Sequence, residues 1–313
     1  MPELRQFTQA LAVGGHPVGD WRGGPLTATV PREFVHRVAV AEILLTGWTR
    51  TDPDRFTITA QWPRAHQLHV SPDRSAYEPL LIAETVRQCG ALLAHAAYEV
   101  PLGHQFVLQE LHVDTRPEHL AVGAVPAEPV IDITVAELRR RAGRPAALRY
   151  DAVVRLGGEQ VATGRIAVTW TNESVYRRLR GGRTADVGAL RLPRPLPADA
   201  VGRALGADVL LSPAVRPGRW RLRVDTAHPV FFDHPLDHIP GMLLLEAARQ
   251  TVRAHGGQER RAAVSFRATF HQYAELDEPV WMEVSDEAGA DVQVFALQGE
   301  SVVFECRVGV AAG

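Results

Sequence analysis

The stretch HPLDHIPGMLLLEAARQ, His234 to Gln250, sets Glu246 and Arg249 in a run that is otherwise strongly apolar. Pro240 and Gly241 punctuate its entry, and the Met, Leu, Ala, Glu, Arg and Gln that follow favour a helix. Residues three and four apart share a helix face, so Glu246, Arg249 and Gln250 stand together, away from Leu244, Leu245, Ala248 and Val252. Taken alone, that stripe describes the wet side of an amphipathic helix.

A second copy of the stretch argues otherwise. At a shift of 162 residues, AHQLHVSPDRSAYEPLLIAETVRQ (Ala65–Gln88) falls on AHPVFFDHPLDHIPGMLLLEAARQ (Ala227–Gln250) without a gap. His66 meets His228, Glu84 meets Glu246, Arg87 meets Arg249 and Gln88 meets Gln250. Two unrelated solvent faces have no reason to keep Glu-x-x-Arg-Gln in register while the apolar positions drift. The pattern points to a functional group, with a buried ion pair kept for specificity as the bland alternative.

The flanks repeat in kind. An extended segment precedes each copy: FTITAQWPR (Phe56–Arg64) and WRLRVDT (Trp220–Thr226). Four alternating, β-branched segments follow each helix. The first set is His104–Asp114, Glu128–Arg140, Ala147–Leu156 and Val161–Trp170; the second is Ala262–Tyr273, Glu278–Glu287, Ala290–Leu297 and Ser301–Val310. One long helix followed by consecutive antiparallel strands, twice, is an α+β pattern rather than an alternating doubly wound one. The organisation predicted is an extension over residues 1–29, a first domain over 30–180, an Arg/Gly/Pro-rich linker over 181–217 with few core contacts and a short helix near Ala198–Leu205, and a second domain over 218–313.

Bulk properties exclude several classes. A length of 313 residues suits two domains, and 46% hydrophobic with 22% charged residues is ordinary for a globular chain. The net charge of −2 gives no reason to expect nucleic acid. All 34 basic residues are arginine, which removes a Schiff-base or phosphate-loop lysine. Cys89 and Cys306 sit in apolar contexts, with no CxxC metal motif, and neither a signal peptide nor a membrane span is evident. A reduced, cytoplasmic protein without metal or other cofactor is predicted.

VPREFVHRVAVAEILLTGW (Val30–Trp48), FTITAQWPRAH, PLLIAETVRQCGALLAHAAYEVPLGHQF (Pro79–Phe106) and DHIPGMLLLEAARQ resemble the A-factor biosynthesis family, over roughly residues 30–310 and both repeats. The resemblance implies a tandem hotdog fold, two long helices each wrapped by an antiparallel sheet. It implies transfer of a β-ketoacyl group from an acyl-carrier-protein thioester to the hydroxyl of dihydroxyacetone phosphate, on the way to γ-butyrolactone, furan or butenolide signalling molecules. The second repeat also resembles acyl-carrier-protein dehydratases of the hotdog type. Glu246 falls on their helix carboxylate and His234 on their loop histidine, although the segment between His234 and Pro240–Gly241 is shorter here.

Such a transfer needs an apolar tunnel, a base for the attacking hydroxyl, cations for phosphate and N–H donors for the oxyanion. No GxSxG elbow or metal-ligand spacing is present, so direct transfer without a covalent enzyme intermediate is the simpler expectation. Glu84 and Glu246 are the candidate bases and Arg249 their catalytic partner. Arg87, Gln88, Gln250, His66, His228, His234 and Arg37 are candidate substrate-binding residues. Carrier proteins are acidic, so ELRRR (Glu137–Arg141) and YRRLRGGR (Tyr176–Arg183) are candidate docking patches, and a homodimer is possible. The same fold admits a dehydratase, a thioesterase or a non-catalytic acyl binder as rival readings.

Overall fold

The computed structural model describes residues 28–181, 183, 190–214, 216–256, 262–285 and 291–311, so most of the N-terminal extension expected over 1–29 lies outside the described residues. Three helices are present among them: α1 (Pro79–Leu92), α2 (Glu173–Leu179) and α3 (Gly241–His255). The first-repeat strands are β1 (Leu45–Asp52), β2 (Arg55–Ala60), β3 (Gln105–Thr115), β4 (Val130–Arg141), β5 (Arg144–Leu156) and β6 (Glu159–Thr171). The second repeat supplies β7 (Arg219–Arg221), β8 (Ala263–Phe270), β9 (Val280–Ser285), β10 (Asp291–Gln298) and β11 (Ser301–Val310).

All eleven strands form one antiparallel sheet in the order β1-β2-β4-β5-β6-β3-β8-β11-β10-β9-β7. The repeats meet edge to edge where β3 pairs with β8, with Leu111 opposite Ala268 and Val113 opposite Phe266. That pairing covers an edge of each half-sheet. Alternation sets the inner face: Ile131, Ile133 and Val135 of β4 are buried while Val130, Asp132 and Thr134 are exposed. Helix α1 packs on β3, β5 and β6, α3 packs on β8 to β11, and the two helices touch. Two long helices on one continuous antiparallel sheet is the α+β pattern that the repeat predicts and the tandem hotdog architecture that the resemblance implies.

The expected linker is corrected in part. Val201, Val209, Leu210 and Leu211 are buried in the core. The reason is visible on realignment: VHRVAVAEILL (Val35–Leu45) matches VGRALGADVLL (Val201–Leu211) at a shift of 166. Each repeat therefore begins with a strap that crosses its helix. The helices align at 162, so four residues are lost between strap and helix in the second repeat. The β1–β2 hairpin absorbs the loss: its Leu45–Ala60 pairing survives as a single bridge between Leu211 and Leu222. For the same reason WRLRVDT yields only the three-residue β7. The short helix expected near Ala198–Leu205 is two 3₁₀ turns, Asp199–Val201 and Gly206–Asp208.

Helix α1 sits unusually close to the sheet at its middle. A Cβ on Gly164 of β6 would lie 2.9 Å from Val86, and one on Gly90 of α1 would lie 2.8 Å from the Tyr150 hydroxyl. That hydroxyl donates to the Val86 carbonyl across the same contact. Overpacking a filled core costs about 1–3 kcal/mol. Gly90→Ala and Gly164→Ala are each expected to lower the melting temperature by that equivalent, whereas Gly143→Asn, in the open β4–β5 turn at φ +77°, should leave it nearly unchanged.

Candidate active site

Glu84 and Glu246 are both buried, at 1% and 0% exposure, on apolar helices. An ionised carboxylate in such a place must be paired and hydrogen-bonded. Glu84 Oε1 accepts from Arg37 Nη2 at 2.7 Å, Arg37 Nε at 3.1 Å, Arg87 Nη2 at 2.7 Å and Gln88 Nε2 at 2.8 Å; among the described residues Oε2 accepts from Arg87 Nε alone, at 2.8 Å. Around Glu246, Oε1 accepts from Arg203 Nε at 2.8 Å, Arg249 Nη2 at 2.9 Å and Gln250 Nε2 at 2.8 Å. Its Oε2 meets Arg249 Nε at 2.8 Å and Arg203 Nη2 at 2.7 Å. Burial raises both carboxyl pKa values, but the paired arginines outweigh it: Glu84 is held far below the usual range and Glu246 at about 2.

Arg203 and Arg249 contact both Glu246 oxygens, so this carboxylate sits in a closed ion cluster. The other expected site residues also have protein partners. Gln88 and Gln250 fasten the straps. Gln88 takes the Leu44 N–H at 3.0 Å and donates to the Glu42 carbonyl at 2.8 Å; Gln250 treats Leu210 and Asp208 alike, both at 2.8 Å. His66 Nδ1 accepts from the Leu68 and His69 N–H groups while Nε2 meets Glu42 at 3.2 Å. His228 does the same with Val230, Phe231 and Asp208. Both ring nitrogens of each histidine thus have protein partners. The missed Arg203 is the counterpart of Arg37, and the 166-residue shift is the signal that would have found it.

The arginines of the straps also cross between repeats. Arg37 Nη1 donates to the Val230 carbonyl at 3.0 Å, and Arg203 Nη1 to the Leu68 carbonyl at 3.1 Å. Each Glu cluster therefore faces the loop of the other repeat. From there the two places differ. Opposite Glu84 the second-repeat loop brings Asp233, 3.8 Å from Arg37, and His234, whose Nδ1 lies 2.6 Å from Asp233 Oδ1. Asp233 is fixed further by the Val38 N–H at 2.9 Å. Burial works to raise its pKa, but His234, that N–H and Arg37 outweigh it and keep the carboxylate ionised. At the matching positions of the first-repeat loop stand Ser71 and Pro72.

His36 marks the same asymmetry. It adopts a left-handed backbone, φ 56°, where its counterpart is Gly202 at φ 67°. A non-glycine side chain there carries strain, and such strain clusters at functional sites. Around Gly202 the space is filled by Arg249 and Arg253, 3.4–3.5 Å from where a Cβ would sit. His36 Nε2 lies 2.7 Å from His95 Nε2, and His95 Nδ1 lies 2.7 Å from the Val100 carbonyl. A carbonyl only accepts, so His95 is protonated at Nδ1 and His36 donates from Nε2, which leaves His36 Nδ1 as a bare acceptor. Burial, then Arg87, His95, His234 and Arg37, push the His36 pKa down to about 3, so the ring stays neutral. Arg87 is the most open arginine of the two clusters, its side chain 20% exposed, and its Nη1 makes no hydrogen bond among the described residues. His36, Glu84, Arg87, Asp233 and His234 thus make a candidate composite site with residues from both repeats; Asp233 and His95 were not singled out from sequence.

A family model for the A-factor biosynthesis hotdog domain matches residues 22–172 and again 184–308. The chain belongs to the A-factor biosynthesis family. A curated relative from Streptomyces virginiae, named 2-oxo-3-(phosphooxy)propyl 3-oxoalkanoate synthase, is 47% identical over 289 residues, covering 91% of this chain and 98% of its own. Relatives of the same name from Streptomyces griseus and Streptomyces coelicolor are 40% and 37% identical, covering 87% and 88% of this chain and 92% and 89% of their own. Among solved structures, an acyl-ACP thioesterase from Bacteroides thetaiotaomicron aligns with a TM-score of 0.51 at 13% identity, over 82% of this chain and 98% of that one. An oleoyl thioesterase from Lactobacillus plantarum gives 0.50 at 11%, over 84% and 98%. At these identities the likeness is one of fold, and it supports the hotdog assignment.

The Glu246 cluster makes a prediction about acid. Its carboxyl falls from an ordinary 4.5 to about 2 on folding, so the stabilisation is complete above about pH 4.5 and is lost as pH falls through about 2. Glu246→Gln strands Arg203 and Arg249 and should cost about 3–5 kcal/mol at neutral pH. The variant should therefore melt well below the wild type at pH 7, with the gap closing between pH 4.5 and 2 in thermal melts.

Proposed function

We propose that this chain transfers a β-ketoacyl group from an acyl-carrier-protein thioester to the free hydroxyl of dihydroxyacetone phosphate, making a phosphorylated β-ketoester for a γ-butyrolactone- or butenolide-type signal. The observation that carries this reading is the Asp233–His234 pair delivered by one repeat to the Glu84–Arg37–Arg87 cluster of the other. The name shared by the curated relatives describes that ester product. Among the described residues no helix is long and apolar enough to cross a membrane.

Each residue then has a task. His234 Nδ1 is held by Asp233, so Nε2 is the atom that takes the proton of the attacking hydroxyl. The hydroxyl oxygen bonds to the thioester carbonyl carbon, the C–S bond breaks, and the proton on His234 passes to the departing thiolate. Arg87 offers Nη1 to the acceptor's phosphate. Glu84, with Oε2 the less crowded oxygen, orients Arg87 and the acceptor rather than serving as base. Arg37 couples Glu84 to Asp233 and so ties the two halves of the site together. The Glu246 cluster braces the opposite place and takes no part in the chemistry.

The test is a β-ketoacyl carrier-protein assay with and without dihydroxyacetone phosphate. Ester formation that depends on the acceptor is expected. Free acid released equally without it would make the chain a thioesterase, and water loss from a 3-hydroxyacyl donor alone would make it a dehydratase. His234→Ala should lower turnover about 10²–10⁴-fold in a folded protein. Arg87→Ala should raise the acceptor KM most. Arg249→Ala should lose stability yet keep turnover per folded molecule; a folded Arg249→Ala protein without activity would return that residue to the site.

A further inference from the structure

Both arginine patches seen in the sequence converge on one cleft, and the structure divides them. Arg180 is spent on fastening the repeats: it meets Glu275 twice at 2.7 Å and Asp237 at 3.2 Å. Arg183 pairs with Asp277 at 2.8 Å, and Arg177 pairs with Glu173. Arg178 instead joins Arg139, Arg140 and Arg141 around a cleft of about 1070 Å³ between the β4–β5 hairpin, the end of β6 and α2. Among the described residues no aspartate or glutamate lines it. Arg139 leans toward Glu137 at 3.5 Å but stays more than half exposed. On the rim stands Leu179, 71% exposed.

The floor of this cleft leads toward the composite site. Trp170 lines it, held by its indole N–H to the Pro145 carbonyl at 2.9 Å. Phe106 stacks on Trp170 at 5.2 Å, and His36 meets Phe106 edge-on at 4.5 Å. One aromatic layer thus separates the arginine cleft from His36 and Arg87.

We infer that this cleft is the docking surface for the donor: an acidic carrier protein sets its negative helix face on Arg139, Arg140, Arg141 and Arg178, and sends its phosphopantetheine arm past Trp170. The inference rests on the acyl-transfer reading above for its occupant. Charge complementarity supports it, since four clustered arginines with only Glu137 nearby repel one another, and an anionic partner relieves that repulsion. The open shape suits a protein surface and a thin arm rather than a buried small molecule, and Leu179 offers the apolar contact that interface centres use.

Charge reversal on exposed residues tests this without disturbing the fold. The variants are Arg139→Glu with Arg141→Glu, and Arg178→Glu, each checked by thermal melting. Binding of holo-acyl carrier protein, measured by titration calorimetry, should weaken at least about tenfold in the double variant, and wild-type binding should fall steeply with added salt. Turnover of a small β-ketoacyl N-acetylcysteamine thioester should be unchanged, while the KM for the carrier-bound donor rises. Equal carrier affinity in wild type and double variant overturns the docking surface. So does an equal loss of small-thioester turnover, which would make the cleft part of the reacting site. If the wild type turns over neither donor, the acyl-transfer reading fails, and the calorimetric comparison still decides whether the cleft receives the carrier.

Discussion

Two carboxylates sealed inside an apolar double helix layer could not exist without their arginines. Each needs one from its own helix, Arg87 or Arg249, and one from the strap that crosses it, Arg37 or Arg203. The strap arginine in turn needs a carbonyl from the opposite repeat. This constraint sets the straps over their helices, locks each strap to the other repeat's loop, and so fixes where the loop residues lie. The continuous sheet joins the repeats at their edges; the ion clusters join them at their centres. A buried pair of this kind is a weak source of net stability, and its value lies in specifying one arrangement.

From that shared frame the two halves part company. Every strut of one cluster has an equivalent in the other, down to His66 on Glu42 and His228 on Asp208. Three differences stand out: His36 against Gly202, Asp233–His234 against Ser71–Pro72, and an Arg87 more exposed than Arg249. All three fall around Glu84. The frame is thus symmetric where it bears load and asymmetric around Glu84.

Much of this was legible in the sequence because hydrophobic period and ungapped repetition are strong signals. Helices α1 and α3, the eight strands after them and the clustering of Glu84 with Arg87 and Gln88 all follow from them. The straps were not legible at the 162-residue shift because the shortened hairpin moves them out of register, and their Arg/Gly/Pro composition resembles a linker. The roles of His66 and His228 were hidden for another reason. A histidine that caps a loop and one that binds substrate look alike until both ring nitrogens have partners. Asp233 escaped notice because an acidic residue beside a histidine is common, and only the fold brings it to Arg37.

The direct β3–β8 pairing has a further consequence. In an assembly of two identical subunits, every substitution appears twice, and any change that sharpens one pocket must be tolerated in its mirror image. Carrying both halves on one polypeptide lifts that symmetry restraint, so the two helices can drift independently after duplication. Covalent linkage thereby allows one half to specialise while its twin serves as a keystone.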